Sequence, residues 1–236
     1  MKRRLVVFVL ALCLLLTLVP TSALAGNGIT EFPQRVTAWM KIKFDCGCKT
    51  EGTGAMVSAD GLITAGHNLF CKKHNKPAKT IEFYFGYVGS NDYFYRYSGS
   101  CNFFTFCDFS NGYSRKDDIG FVKFPKKFGI GWYGSQTRNA SEYNGEKGFV
   151  CYYGDNGKVK MFKNDINEYD STTITLEHSP LPTSAEGAPI YFQRGAGLNE
   201  ALIGVYTGAE GGQCYFSLIT RQVFNSMSEK LSWESD

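Results

Sequence analysis

Long apolar runs and histidine are scarce in this sequence, and beyond the N-terminus neither sign of charge is in excess. The one long apolar run, Leu5 to Val19, follows the basic Met1-Lys2-Arg3-Arg4 and precedes Ala23-Leu24-Ala25. A membrane-spanning helix needs about 20 apolar residues, which this run does not reach, and no second run follows it. A basic start, a short apolar stretch and a small-x-small end make a secretory signal peptide, 1–25, cleaved after Ala25. The remaining 26–236 is expected to be secreted, in the extracellular space, without a membrane anchor. Lys2, Arg3 and Arg4 leave with the signal, so 22 basic residues then face 22 acidic ones. A formally neutral chain offers no electrostatic case for binding nucleic acid or an anionic membrane. Internal repeats beyond two strand-rich halves, heptads and low-complexity tracts are also missing, which excludes solenoids and coiled coils.

What is present points to strands. The chain holds 26 glycines and 15% aromatic residues, a composition of many short strands and tight turns. Val36, Ala38, Met40, Ile42 and Phe44 alternate with polar residues at the period of a half-buried strand. Gly52-Thr53-Gly54 then breaks the chain ahead of two strands, Ala55–Val57 and Leu62–Thr64, joined by the turn 58–61. Further strand-like segments cover 81–97, Ile119–Phe124, Gly148–Tyr153, Lys158–Phe162, Ile190–Phe192 and Ala201–Tyr206. Only Thr220 to Leu231 has helical spacing, with Val223, Phe224, Met227 and Leu231 three or four residues apart. The fold class is therefore all-β with a C-terminal helix, in a length that one β domain commonly occupies.

Histidine is the usual general base near neutral pH, and the chain has three. His67 closes the string Thr64-Ala65-Gly66-His67, which sets an imidazole just past a strand end among small residues. Asp118 opens the apolar strand Ile119-Gly120-Phe121-Val122, where a carboxylate at a barrel rim can orient an imidazole. Ser184-Ala185-Glu186-Gly187-Ala188-Pro189 is a tight turn feeding a third apolar strand. Taken singly, each has an ordinary structural explanation, as a satisfied histidine, a turn aspartate and a loop.

In this order and at these separations, the three pieces resemble the chymotrypsin-like serine peptidases, closest to the small secreted bacterial branch with the glutamyl endopeptidases. There, Gly-Thr-Gly followed by Thr-Ala-Gly/Ala-His carries the base, and an Asp-(Ile/Phe) strand carries its partner. Gly-x-Ser-Gly-(Gly/Ser)-Pro carries the nucleophile. The resemblance runs from about Val36 to the C-terminal helix. It implies a trypsin-like double six-stranded β-barrel, roughly 34–130 and 145–220, within a single domain spanning 26–236. It also implies His67 as general base and Asp118 as the residue orienting it.

The departure is at the nucleophile. Glu186 stands where the family has serine, and Ser184 where it has the preceding glycine. A carboxylate attacking an amide would form a mixed anhydride, a poorer route than attack by a histidine-activated hydroxyl. Glu186 is expected instead to pair with His67, holding it as imidazolium between two carboxylates, while the turn keeps its backbone N–H groups aimed inward as an oxyanion hole. Ser184 is the alternative nucleophile, but two residues along an extended segment displace it by about 6–7 Å. His178 and Glu177 fall where the family lines its specificity pocket. Tyr206 fills a wall position that is histidine in glutamyl endopeptidases, which argues against their preference for glutamate.

Seven cysteines follow the signal, and in an oxidising compartment some should pair. Cys46-x-Cys48 with Cys71-x-x-His74 suits zinc, but a disulfide from Cys46 or Cys48 to Cys71, of a kind relatives carry, is the preferred reading. Cys101–Cys107 and Cys151–Cys214 are the further expected pairs. The aromatics between Phe83 and Tyr113 read as barrel core plus one loop, with ligand binding as the minor alternative. Two functions stay open. One is a noncatalytic peptidase homologue, a monomer without metal or cofactor, binding a peptide or protein in the old cleft. The other is an active endopeptidase using Ser184 or a differently aligned residue.

Overall fold

A computed structural model describes residues 28–89, 92–106, 115–193 and 200–231. The signal segment therefore lies outside the described residues. Two sheets account for nearly all of the regular structure. The first is built from β1 (Thr37–Phe44), β2 (Lys49–Ser58), β3 (Gly61–Thr64), β4 (Phe70–Cys71), β5 (Lys76–Phe85), β6 (Tyr95–Tyr97), β7 (Asn102–Thr105) and β8 (Gly120–Lys123). Its order is β4-β5-β1-β2-β3-β8-β7, with β6 on β5. The second holds β9 (Gly134–Ser135), β10 (Lys147–Tyr153), β11 (Val159–Asp170), β12 (Thr173–Glu177), β13 (Pro189–Phe192), β14 (Ala201–Glu210) and β15 (Gln213–Leu218). Its order is β13-β10-β11-β12-β15-β14-β9, and a β13–β14 pairing closes six of these strands into a barrel. The trypsin-like double barrel is the architecture observed.

Each barrel has its own core. Met40, Ile42, Val57, Leu62, Phe83, Phe85, Phe121 and Phe124 fill the first, and Val150, Ile166, Ile174, Leu176, Ile203 and Phe216 fill the second. The aromatics between Phe83 and Tyr97 go mostly to the first core, where Phe83, Phe85, Tyr95, Tyr97, Phe124 and Phe128 meet ring to ring. Trp39, Tyr84, Tyr87 and Tyr153 form a third cluster, to which β10 of the second barrel contributes Tyr153. The C-terminal helix Arg221–Leu231 returns to the first barrel. Its Val223, Met227 and Leu231 are buried in that core, and Lys123 Nζ donates to the Leu231 carbonyl at 2.5 Å. Each such side chain contributes roughly 1.5–3 kcal/mol on burial.

Gly52 and Gly54, expected to break the chain, lie inside β2. Their small size serves packing. A Cβ on Gly52 would stand 2.5 Å from the Asn68 amide, and one on Gly54 would stand 2.6 Å from Leu62 Cδ2. The close approach lets β2 run beneath the turn that carries His67.

The expected disulfides are a correction. Cys46, Cys48, Cys71, Cys101, Cys151 and Cys214 are all free thiols. Cys151 is buried in the first core and Cys214 in the second, so they do not pair. Burial pushes the Cys151 thiol up to about 12 and the Cys101 thiol up to about 11. Cys107 lies outside the described residues.

Candidate active site

His67 follows β3 in the single-turn 3-10 helix Gly66–Asn68, and is only 6% exposed. Asp118 precedes β8, the strand paired with β3, and is fully buried. Because these strands are neighbours, the carboxylate reaches the histidine from the side. Its Oδ2 lies 2.6 Å from His67 Nδ1, and its Oδ1 accepts the His67 backbone N–H at 2.8 Å. The second barrel supplies the other partner, with Glu186 Oε2 2.6 Å from His67 Nε2.

A ring with a carboxylate oxygen on each nitrogen donates from both, and is then an imidazolium. Burial alone would lower its pKa. The charges and hydrogen bonds of Asp118 and Glu186 outweigh that and raise it to about 9. Burial would likewise raise the Glu186 carboxyl, but the bond and charge of His67 hold it below its ordinary value. At neutral pH His67 has no lone pair with which to accept a proton.

The turn carrying Glu186 is clamped to the first barrel. The Glu186 carbonyl accepts the Thr53 N–H at 2.8 Å and the Asn68 side-chain amide at 2.7 Å. Thr53 Oγ1 donates to the Ser184 carbonyl at 2.7 Å, and Thr64 Oγ1 to the Thr53 carbonyl at 2.7 Å. Gly187 sits in the left-handed region at φ +89°. A Cβ there would stand 2.2 Å from both the Thr53 carbonyl oxygen and Thr64 Oγ1. Thr53, Thr64 and Asn68 were not singled out from the sequence. Their adjacency to the Gly-Thr-Gly and histidine motifs was the available signal.

The oxyanion hole expected from the turn is not arranged. Thr183–Ala185 forms a 3-10 turn, in which the Glu186 N–H donates to the Thr183 carbonyl at 3.0 Å. The N–H groups of Ala185, Gly187 and Ala188 donate to Pro182, Tyr206 and Ala185 carbonyls at 2.8–2.9 Å. These donors are satisfied within the fold, so they do not converge on an empty anion position.

Ser184 is 2% exposed, and its hydroxyl donates to the Tyr153 carbonyl at 2.9 Å, with Asp155 Oδ1 at 3.2 Å. It faces β10 and makes no hydrogen bond to His67. Tyr206 is buried against Phe216 in the second core. His178 is half-buried, packs its ring against Phe162 at a tilt with centroids 4.1 Å apart, and bonds to the Ser179 carbonyl.

A buried histidine–aspartate pair between two β-barrels, facing a turn from the second, is the arrangement of the chymotrypsin-type serine proteases, and this chain has their fold. A structure of a Glu endopeptidase superimposes with a TM-score of 0.72 at 14% identity, covering 89% of this chain and 97% of that one. A thermostable serine protease, AL20, from an extremophilic microorganism gives 0.71 at 12% identity over 85% and 99%. Protease Anisep from Arthrobacter nicotinovorans gives 0.70 at 14% identity over 85% and 97%. In sequence, the chain is 26% identical over 209 residues to a protein of Bacillus subtilis (strain 168) named extracellular metalloprotease. That alignment spans 85% of this chain and 65% of the relative's length. No family model matches the sequence.

Proposed function

We propose that this chain is a secreted homologue of the trypsin-like peptidases that lacks their chemistry and binds an extended peptide or protein segment in the former substrate cleft. The observation that carries this is the 2.6 Å contact between Glu186 Oε2 and His67 Nε2. It puts a carboxylate on the nitrogen that would take the nucleophile's proton, and keeps that nitrogen protonated. The satisfied N–H groups of the Glu186 turn support the same reading, since an acyl transfer would lack its anion stabiliser. Secretion rests on the segment 1–25, and accords with the name of the Bacillus relative.

Binding draws on β14. Val205 pairs with Pro189 on one side and Ser217 on the other, whereas Gly208–Glu210 pair only with β15 among the described residues. A bare edge beside the cleft suits strand addition by a peptide, with main-chain hydrogen bonds giving affinity.

A second reading, an active endopeptidase, is favoured by the 2.6 Å His67–Asp118 pair and by the relatives' names. It needs a nucleophile at Nε2, the position Glu186 takes, and Ser184 is bonded elsewhere. Hydrolysis through a metal at His67, suggested by the Bacillus name, finds among the described residues no group of three metal-binding side chains there, short of the three protein ligands of catalytic zinc sites.

The test is fluorophosphonate labelling and casein cleavage by the mature protein, with binding of fluorescent casein peptides measured by anisotropy on the same samples. Binding without labelling or cleavage is expected. Labelling of the wild type would overturn the reading and name the nucleophile. Absence of both chemistry and binding would leave the cleft without the proposed use.

A further inference from the structure

The turn between β1 and β2 and the loop between β4 and β5 meet at one end of the first barrel. Phe44 to Cys48 is a tight turn in which the Gly47 N–H donates to the Phe44 carbonyl at 2.9 Å and the Phe44 N–H to the Cys48 carbonyl at 2.9 Å. Gly47 adopts φ +86° at its apex, which brings Cys46 and Cys48 round to the same side. Opposite, the Asn75 N–H closes a turn onto the Cys71 carbonyl at 2.8 Å, with Asn75 in the left-handed region at φ +48°. That turn folds His74 back over Cys71. The two loops are held together by the Asp45 N–H on the Pro77 carbonyl at 3.0 Å.

The result is a convergence of three sulfurs and one imidazole, all four ligand atoms lying within 4.8 Å of one another. Cys48 Sγ is 3.5 Å and Cys71 Sγ 3.6 Å from His74 Nδ1. A tetrahedral zinc with Zn–S of about 2.3 Å and Zn–N of about 2.0–2.1 Å sets sulfur about 3.6 Å from nitrogen and sulfurs about 3.8 Å apart. The two sulfur–nitrogen separations match the edges of that tetrahedron, and the remaining ones lie within 4.8 Å, about 1 Å from closing onto an ion. A disulfide would use two sulfurs and leave the third thiol and the imidazole unexplained. The cluster has three thiols, all free, so an even pairing within it is impossible.

We propose that Cys46, Cys48, Cys71 and His74 form a structural zinc site that ties the β1–β2 turn to the loop that follows His67. Four protein ligands close the coordination shell, so the ion has no open position for substrate or water and takes no part in hydrolysis. The three thiols bind as thiolates and release their three protons to solvent, while the imidazole binds neutral through Nδ1 and keeps its Nε2 proton, with no change of oxidation state. The ion anchors the chain at both flanks of the histidine turn. This inference is independent of the reading of Glu186, and its readouts do not involve the cleft.

The experiment is metal analysis of the full mature chain purified without chelator, followed by replacement of the metal with Co2+. About one zinc per chain is expected, and the cobalt form should show the intense visible absorption of a tetrahedral ion with thiolate charge-transfer bands. Cys48→Ser and His74→Ala should each weaken zinc affinity by more than about 100-fold, the upper end for residues that only support a ligand. Cys101→Ser should leave affinity unchanged. Should the ligand variants not fold, the wild-type cobalt spectrum and metal content decide the matter alone. A protein with no bound metal, or a peptide map showing Cys46 or Cys48 cross-linked to Cys71, overturns the proposal. So does a weak octahedral cobalt spectrum.

Discussion

The two barrels bring unequal halves to the site. The first presents a histidine–aspartate pair in the geometry of a working base, buried and held at 2.6 Å. The second presents a turn whose key side chain is a carboxylate and whose N–H groups from Ala185 to Ala188 are already used. The halves also differ in what holds them. His67 and Asp118 sit on paired neighbouring strands, β3 and β8, so their contact follows from the barrel itself. The Glu186 turn lies between strands and is fastened by backbone bonds to Thr53 and Tyr206, by side-chain bonds from Thr53 and Asn68, and by the Ser184 hydroxyl. An arrangement dictated by strand pairing would survive a loss of catalysis, because dismantling it would cost the fold. A turn outside the strand pairing, oriented in part by side chains, can change with two substitutions. Retained His67 and Asp118 are therefore weak evidence for chemistry, and the turn decides.

The comparison is broken most strongly by rebuilding the second half. Glu186→Ser alone supplies a hydroxyl and frees Nε2, but the 3-10 turn still binds the residue-186 N–H to Thr183. Adding Ser184→Gly removes the hydroxyl anchored on the Tyr153 carbonyl and frees that peptide to rotate. One oxyanion donor is worth about 10²–10³-fold in rate. The double variant should label with fluorophosphonate at least about 100-fold faster than Glu186→Ser, while the wild type stays unlabelled. Equal rates for the two variants would show that the turn is not what restrains the chemistry.

Gly187→Ala tests how tightly the turn is docked. Its φ of +89° and the 2.2 Å approach to Thr53 and Thr64 leave no room for a methyl group. Gly212 has a similar φ of +80° with nothing near its Cβ position. Gly212→Ala should cost about 1 kcal/mol from backbone strain alone. Gly187→Ala should cost about 3–5 kcal/mol, because backbone must shift as well. Urea denaturation of both variants measures the difference, and equal costs would mean that the turn gives way easily.

Much of the first half was legible in the sequence, because its residues are consecutive with the strands that place them. Thr64-Ala65-Gly66-His67 and Asp118-Ile119 each carry a strand and its functional residue together. The substitution at Glu186 was legible by position, and its pairing with His67 followed from charge. The fate of the turn's N–H groups was not legible, since peptide orientation depends on the Tyr153 carbonyl and Thr53, distant in sequence. β12 and β15 went unread, and β11 was read short, because β11 keeps only one residue buried among twelve and shows no clear alternation. The cysteines misled for a related reason. Oxidising surroundings argue for pairs, but which sulfurs meet is set by two loops whose approach no local pattern records.

The titration of His67 sharpens the comparison with the smallest effect. Its folded pKa of about 9, against 6.5 for a free histidine, means that the folded chain holds the proton more tightly. This contributes about 3 kcal/mol of stability. The contribution is fully present below pH 6.5 and is lost as pH rises through 9. Glu186, held below its ordinary 4.5, works in the opposite sense: its contribution is present above 4.5 and is lost as pH falls through the lowered value. Stability should thus hold level between these limits and decline on both sides. Glu186→Gln keeps a hydrogen-bond acceptor and removes the charge, so the His67 pKa should fall by about 1 unit or more, and the alkaline decline, which still begins near pH 6.5, should end at correspondingly lower pH and be smaller. Proton NMR of the imidazole and denaturation across pH 5–10 read the two effects together. A wild-type His67 that titrates near 6.5 would place Glu186 away from Nε2 in solution, and the second half of the site would then be open.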